Sequence, residues 1–285
     1  MLVAILGGFA AAVFFATATL LSSRSSRLIS PSSVLGWVMI TGLVVLLPFL
    51  AVSGPPDLAR GDVGWLIVSG GGNVAGLLLA YSALRIGKVG VVAPIVSTEG
   101  AIAAALSILA GESLPVAVGL LLPVIALGVA LAATGGEDTE SPGSPTVGAR
   151  GQLLFAAAAA ACFGASLFAT AHASADLPIA WVLLPARLIG VVGVAAPLAL
   201  RGRLQLTRHA TPLVVAGGLC EVLGFASFAL GSRDGVAVAA VLASQFAGLA
   251  AVAAYLLFRE RLTYVQIAGV VVIAVSVASL TAVRT

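Results

Sequence analysis

Hydrophobic residues make up 60% of this 285-residue chain, whereas Asp, Glu, Lys and Arg together make up only 9%. A soluble domain carries roughly 25% charged residues, so this composition excludes a soluble globular protein. The formal net charge of +3 is small and scattered over loops, which excludes a basic surface for nucleic acid. The chain is therefore expected to lie in a lipid bilayer, and its long unbroken apolar runs favour an all-α fold over a β-barrel.

Apolar runs bounded by charged residues, prolines or polar clusters predict ten transmembrane helices. A helix needs about 20 apolar residues to cross the hydrocarbon core, and each run has close to that length. In chain order the predicted spans are residues 2–21, 33–53, 63–84, 88–110, 114–134, 152–171, 178–199, 211–230, 235–257 and 262–282. The first run is apolar from its start, without a basic leading region, so we interpret it as a retained span rather than a signal peptide.

One long connection separates the first five predicted spans from the last five. Residues 135–150 read GGEDTESPGSPTVGAR, an acidic stretch rich in Gly, Ser and Pro. Such a composition predicts a solvated linker. The expected organisation is one five-helix unit over residues 1–134, the linker over 135–150, and a second five-helix unit over 151–285.

Four short sequence matches recur in the same order in the two units. FATA occurs at 15–18 and 168–171, WV at 37–38 and 181–182, GG followed by AL at 71–84 and 217–230, and GESL at 111–114 resembles RERL at 259–262. Together they indicate a duplication. Because each unit has an odd number of spans, the copies would cross the membrane in opposite senses, as the inverted repeats of many secondary transporters do.

These features resemble the EamA-type drug/metabolite transporter superfamily. The resemblance rests on the ten spans, the duplication, the sequences LAGESL and LFRERL after the fourth and ninth spans, and YSALRIGKVGVVAP between the third and fourth. It implies a multi-pass transporter of the cytoplasmic (inner) membrane, with a cavity built by the first four spans of each unit. Glu112 and Glu260 would belong to the fold signature at the membrane surface.

Three ionisable residues fall near the middle of predicted spans. They are Glu99 in the fourth span, Arg187 in the seventh and Glu221 in the eighth. A charged side chain at the centre of a membrane helix costs roughly 2.5–3.5 kcal/mol on insertion scales. We therefore expect all three side chains to point into the bundle, where a partner or water offsets that cost.

Glu99 is the first candidate substrate-binding residue. Matching the two units places it opposite Gln245 and places Thr98 opposite Ser244, so the same mid-span position is polar in both units. Inverted repeats bring such positions together near the bilayer midplane, where substrate sites form. Pro94 cannot donate a backbone N–H, so we expect the helix to bend or open beside the carboxylate. The alternative is that Glu99 and Gln245 hydrogen-bond each other and only hold the two units together.

Glu221 is the second candidate. Phe225 and Phe228 lie on the same helix face and would flank a ligand. Asn73 in the third span is nearby, but the sequence matching puts it on a different face. Arg187 is the natural counter-ion, so that one glutamate would stay paired with it while the other takes and releases a proton. Packing for Glu221, and snorkelling or helix capping for Arg187, are the alternatives.

The charges outside the spans leave the orientation open. One side of the predicted membrane domain carries ten Lys and Arg residues, and the side with the C-terminus carries three. The positive-inside rule would place both termini outside. The family resemblance implies the opposite.

The function that these features favour is a secondary transporter of small polar or amphipathic metabolites, amino-acid-like solutes or drugs, working by alternating access around a midplane cavity. The resemblance implies export. No G-x-x-x-x-G-K-[ST] motif occurs, so a gradient or exchange would supply the energy. The alternatives are a lipid or quaternary-ammonium transporter of the same fold, or a non-transporting scaffold subunit.

An intramembrane enzyme is disfavoured, because the sequence contains neither H-E-x-x-H nor G-x-S-x-G. We expect no cofactor and no metal, since Cys162 and Cys220 lie in apolar runs and are interpreted as buried structural thiols. The expected partners are the lipid bilayer and a small-molecule substrate, with proton coupling through Glu99 or Glu221. A monomer and a homodimer are equally compatible with the sequence.

Overall fold

A computed structural model gives the fold of the chain. It describes residues 1–86, 89–112, 146–246 and 248–250, with scattered helical residues between 120 and 131 and between 253 and 272. All regular elements in these ranges are helices, which confirms the all-α prediction for this part of the chain. The predicted spans 114–134 and 262–282, and the end of 235–257, lie largely outside the described residues, so the count of ten stays a prediction.

The described residues form nine helices. They are α1 (Leu2–Leu28), α2 (Pro31–Ser53), α3 (Arg60–Ile86), α4 (Val89–Val96), α5 (Glu99–Leu109), α6 (Thr146–Asp176), α7 (Ile179–Leu200), α8 (Thr211–Ser232) and α9 (Val236–Ala243). Six of them, α1, α2, α3, α6, α7 and α8, are long and apolar enough to cross a membrane. Each coincides with a predicted span. Because α6 begins at Thr146, the last residues of the predicted linker, 146–150, are helical.

The predicted fourth span is broken at its centre. α4 ends at Val96, a turn follows at residues 97–98, and α5 begins at Glu99. The hydroxyl and the backbone N–H of Thr98 both donate to the Ile95 carbonyl, which lies at the end of α4. Pro94, which has no N–H to donate, lies just upstream and favours the interruption. Irregular backbone of this kind is tolerated at membrane depth only where protein or a cavity surrounds it.

α9 ends in the same manner. Both α4 and α9 contain 8 residues, and a turn at Ser244 and Gln245 follows α9. These two side chains donate to the Val241 carbonyl over 2.7 and 2.8 Å. The matching turns put Thr98 opposite Gln245, and therefore Glu99 opposite Phe246. The sequence matching, which paired Glu99 with Gln245, differs from this register by one residue.

Each half of the chain packs mainly against the other half. α1 lies along α8 and also contacts α9, while α6 lies along α3 and also contacts α4 and α5. The α1–α8 pair is antiparallel, because Gly7 adjoins Gly231 at one end and Ser22 adjoins Gly217 at the other. Reciprocal packing of this kind is what two inverted copies would produce. The inverted repeat itself stays a prediction.

Glu112 connects the two broken helices. Its carboxylate accepts the backbone N–H of Ala237 over 3.1 Å, at the first turn of α9. The first N–H groups of a helix have no partner within the helix, and an acidic group there is favourable. The glutamate of the GESL sequence thus caps a helix of the other half.

Candidate functional site

A cavity of about 70 Å³ lies between the two halves, and we call it the main cavity. Helices α1, α3, α4, α6 and α8 bound it, together with Glu99 at the start of α5 and Phe246 after α9. A buried water occupies roughly 10–15 Å³ on the same scale, so the main cavity has room for several waters or for part of a small solute. Its lining residues are Phe15, Ala18, Thr19, Ser22, Leu77, Ala80, Tyr81, Leu84, Val92, Ala93, Val96, Glu99, Phe163, Leu167, Glu221, Phe225 and Phe246.

Two of the predicted charged residues form an ion pair beside this cavity. Arg187 on α7 and Glu221 on α8 are only 1% and 2% exposed, and the guanidinium binds Oε2 of the carboxylate. Asn73 on α3 donates from Nδ2 to Oε1 of Glu221 over 3.1 Å. The Nη1 atom of the guanidinium donates to Met39 Sδ over 3.4 Å. Arg187 is therefore the counter-ion of a mid-span glutamate, as expected, and both oxygens of that glutamate are bound.

Glu99 lines the same cavity, but its carboxylate is not bonded as that of Glu221 is. Its side chain is 5% exposed, and within the described part of the chain its carboxylate forms no hydrogen bond or ion pair. Glu99 is the first residue of α5, and the helix break therefore places it at the cavity wall. The main cavity thus contains one carboxylate bound by Arg187 and Asn73 and one that has no partner among the described residues.

The expected alternative, a hydrogen bond between Glu99 and Gln245, is not formed. Gln245 Nε2 donates to the Val241 carbonyl, and its amide oxygen has no partner among the described residues. Ser244 is buried where α5 crosses α9, and a Cβ on Gly100 would lie 2.6 Å from its hydroxyl oxygen. Neither Gln245 nor Ser244 lines the main cavity.

Of the remaining predicted site residues, one lines the main cavity and the others do not. Phe225 lines the main cavity, and its ring packs edge-on against Phe15 with the centroids 5.2 Å apart. Phe228 is completely buried in the apolar core and does not line the cavity. Thr98 is exposed, and its hydroxyl is bound to the Ile95 carbonyl. Asn73, which the sequence matching placed on another face, meets Glu221 directly.

Sequence reasoning missed most of the aromatic wall. Besides Phe225, the rings of Phe15, Tyr81, Phe163 and Phe246 line the main cavity. The only signal was apolar residues at helical spacing along α1 and α3. In a chain with 60% hydrophobic residues that spacing does not distinguish a cavity wall from ordinary core.

A second cavity of about 10 Å³ lies on the other side of the ion pair, and we call it the small cavity. Its volume suits one water molecule. It is more polar than the main cavity, because two hydroxyls, an amide and a guanidinium reach it. Its lining residues are Ser69, Asn73, Thr170, Val182, Leu183, Ala186, Arg187 and Phe225.

The described residues offer neither a metal site nor a disulfide. No group of three or more His, Cys, Asp or Glu residues there is arranged to hold a metal ion. Cys162 and Cys220 are free thiols. Both are half-buried, which differs from the prediction that they are buried.

Comparison with known proteins agrees with the fold and the predicted resemblance. Twenty-seven chains of solved structures match this one. In one of them, a crystal structure, the match covers 99% of this chain and 98% of the other, with a TM-score of 0.77 and 19% sequence identity, a likeness of fold alone. No curated protein matches the sequence. Residues 2–134 match the model of the EamA-like transporter family. This match confirms the predicted resemblance over the first half of the chain, which is similar to the EamA-like transporter family.

Proposed function

We propose that the protein is a secondary transporter of small amphipathic solutes that works by alternating access around the main cavity. The match of residues 2–134 to the EamA-like transporter family supports membrane transport, and the reciprocal packing of the halves supports a rocking motion of one against the other. Export, and a place in the cytoplasmic (inner) membrane, rest on the family resemblance.

The substrate class follows from the carboxylate of Glu99, which lies in an aromatic cavity and has no partner in the described part of the chain. A buried carboxylate needs a counter-charge, and aromatic faces attract cations. Phe15, Tyr81, Phe163 and Phe246 line the same space as Glu99. These groups favour an organic cation with an apolar body, the quaternary-ammonium alternative of the sequence analysis.

An amino-acid-like zwitterion is less well matched. It would need a free cationic group for its carboxylate, yet the described lining of the main cavity contains no Lys or Arg. Arg187 lies behind Glu221 and is already bound to it. The same pairing makes Glu99, rather than Glu221, the group that would exchange a proton during transport.

Uptake into proteoliposomes tests the proposal. The probe is radiolabelled benzyltrimethylammonium, a small aromatic cation that does not titrate. We expect protein-dependent uptake that Glu99→Gln abolishes and that the matched variant Glu99→Asp retains in part. Uptake that is equal with and without protein would leave the scaffold alternative, and uptake unchanged by Glu99→Gln would remove Glu99 from the site.

A further inference from the structure

The two cavities lie in line along the same helices. On α3, Ser69 lines the small cavity and Leu77 lines the main cavity, two turns further along. On the antiparallel helix α6, Thr170 lines the small cavity and Leu167 the main cavity. Phe225 borders both. The cavities are therefore successive chambers along one axis through the bundle.

A single layer of side chains separates the chambers. Glu221 faces the main cavity, while Asn73 and Arg187 face the small cavity. The bonds among these three residues, with the ring of Phe225, close the space between. Asn73 belongs to the first half of the chain, and the other members belong to the second half.

The small cavity has unused hydrogen-bonding capacity. Asn73 Oδ1 and Arg187 Nε are buried and have no partner among the described residues. Ser69 and Thr170 share a hydrogen bond of 2.6 Å between their hydroxyls at the same cavity. An amide acceptor and nearby hydroxyls are partners of the kind that a buried water requires.

An aromatic cluster lies one turn beyond the small cavity along α3. One turn beyond Ser69 on α3 is Trp65, and its ring lies 5.7 Å from Phe168 and 4.6 Å from His172 on α6, measured between centroids. Trp65 is partly exposed and His172 is exposed. The cluster therefore lies at the protein surface on the side of the small cavity that faces away from the main cavity.

We propose that the layer of Asn73, Arg187, Glu221 and Phe225 is the closed gate of the transport pathway, and that the small cavity is the water-holding start of the passage beyond it. This inference rests on the proposed transport function. The bonds that join the gate across the two halves are Asn73 to Glu221 and Arg187 to Met39. Rocking of the halves breaks these bonds, whereas the Arg187–Glu221 pair moves as one unit with the second half.

Cysteine accessibility tests the gate without any substrate. Cys162 and Cys220 are first replaced by Ala, and Thr170→Cys then reports on the small cavity. A membrane-impermeant methanethiosulfonate reagent is added to proteoliposomes. We expect Asn73→Leu, which removes the bond between the halves, to speed labelling about threefold to fivefold. Asn73→Gln keeps an amide donor and should label at nearly the parent rate.

Ser174→Cys is the matched control, since Ser174 lies one turn from Thr170 on α6 and is buried against α8 rather than in the small cavity. Its labelling should not change with Asn73→Leu. An unchanged rate at Thr170→Cys, or an equal increase at Ser174→Cys, would overturn the gate. If Asn73→Leu does not fold, Asn73→Ala removes the same bond without adding volume. Because labelling needs no substrate, these results are independent of whether benzyltrimethylammonium is transported.

Discussion

Glu99 and Glu221 show how surroundings give one residue type two roles. Both carboxylates are buried and line the main cavity. Glu221 has a guanidinium on one oxygen and an amide on the other, which offsets its loss of hydration. Glu99 has neither. Glu221 is thus held by its two partners in this conformation, and Glu99 is available to a cation or a proton.

Arg187 and Glu221 should stabilise the fold only as a pair, because each charge offsets the burial of the other. Removing one member leaves the other buried without a partner, which typically costs about 3–5 kcal/mol. We expect Arg187→Gln and Glu221→Gln each to lower the midpoint of thermal unfolding in detergent, and the double variant to recover much of the loss. A double variant whose loss equals the sum of the two single losses would show that the residues are not coupled.

Sequence reasoning reached the charged residues but not all of their neighbours. The expectation that mid-span charges face the bundle holds for Glu99, Arg187 and Glu221, because burial in lipid without a partner is costly. Asn73 meets Glu221, although the sequence matching put it on a different face, and Phe228 lies in the core rather than beside the cavity. Both differences have one cause. The angle at which two helices cross decides which of their side chains meet, and the periodicity of a single helix contains no information on that angle.

At the scale of elements, the sequence predicted the long helices well and the broken ones poorly. Uniform apolar runs define α1, α2, α3, α6, α7 and α8. Pro94 indicated a disturbance of the fourth span, but α9 breaks at Ser244 without any proline. In that helix the side chains of Ser244 and Gln245 take up the Val241 carbonyl. Such a break depends on local bonds that a hydropathy pattern does not show.

The cap on α9 gives a testable role to the GESL sequence. Glu112→Ala removes the acceptor for the Ala237 N–H and should cost about 1 kcal/mol of stability, as the loss of a helix cap does. Glu112→Gln keeps an oxygen acceptor without the charge and should cost less. Thermal unfolding in detergent measures both. Equal stability of Glu112→Ala and the parent would contradict the capping role.

At the scale of the whole molecule, similar packing coexists with different chemistry in the two halves. Glu99 follows the turn after α4, Phe246 follows the turn after α9, and both line the main cavity. The two helix breaks therefore present a carboxylate from one half and an aromatic ring from the other. A cation seated between them would contact both halves, so its binding would depend on their relative position. This is the property that alternating access requires.

A cation and a proton should compete for Glu99, and the pH dependence of cation binding measures that competition. Protonation neutralises the carboxylate, so the dissociation constant for benzyltrimethylammonium should rise as the pH falls. Tyr81 and Glu221 are the other titratable groups that line the described part of the cavity, and Arg187 binds the latter. Calorimetry on purified protein should show this pH dependence in the parent and in a Tyr81→Phe control. Glu99→Gln should bind weakly at every pH. Tight binding by Glu99→Gln with the same pH dependence as the parent would show that the cation and the proton do not compete for Glu99.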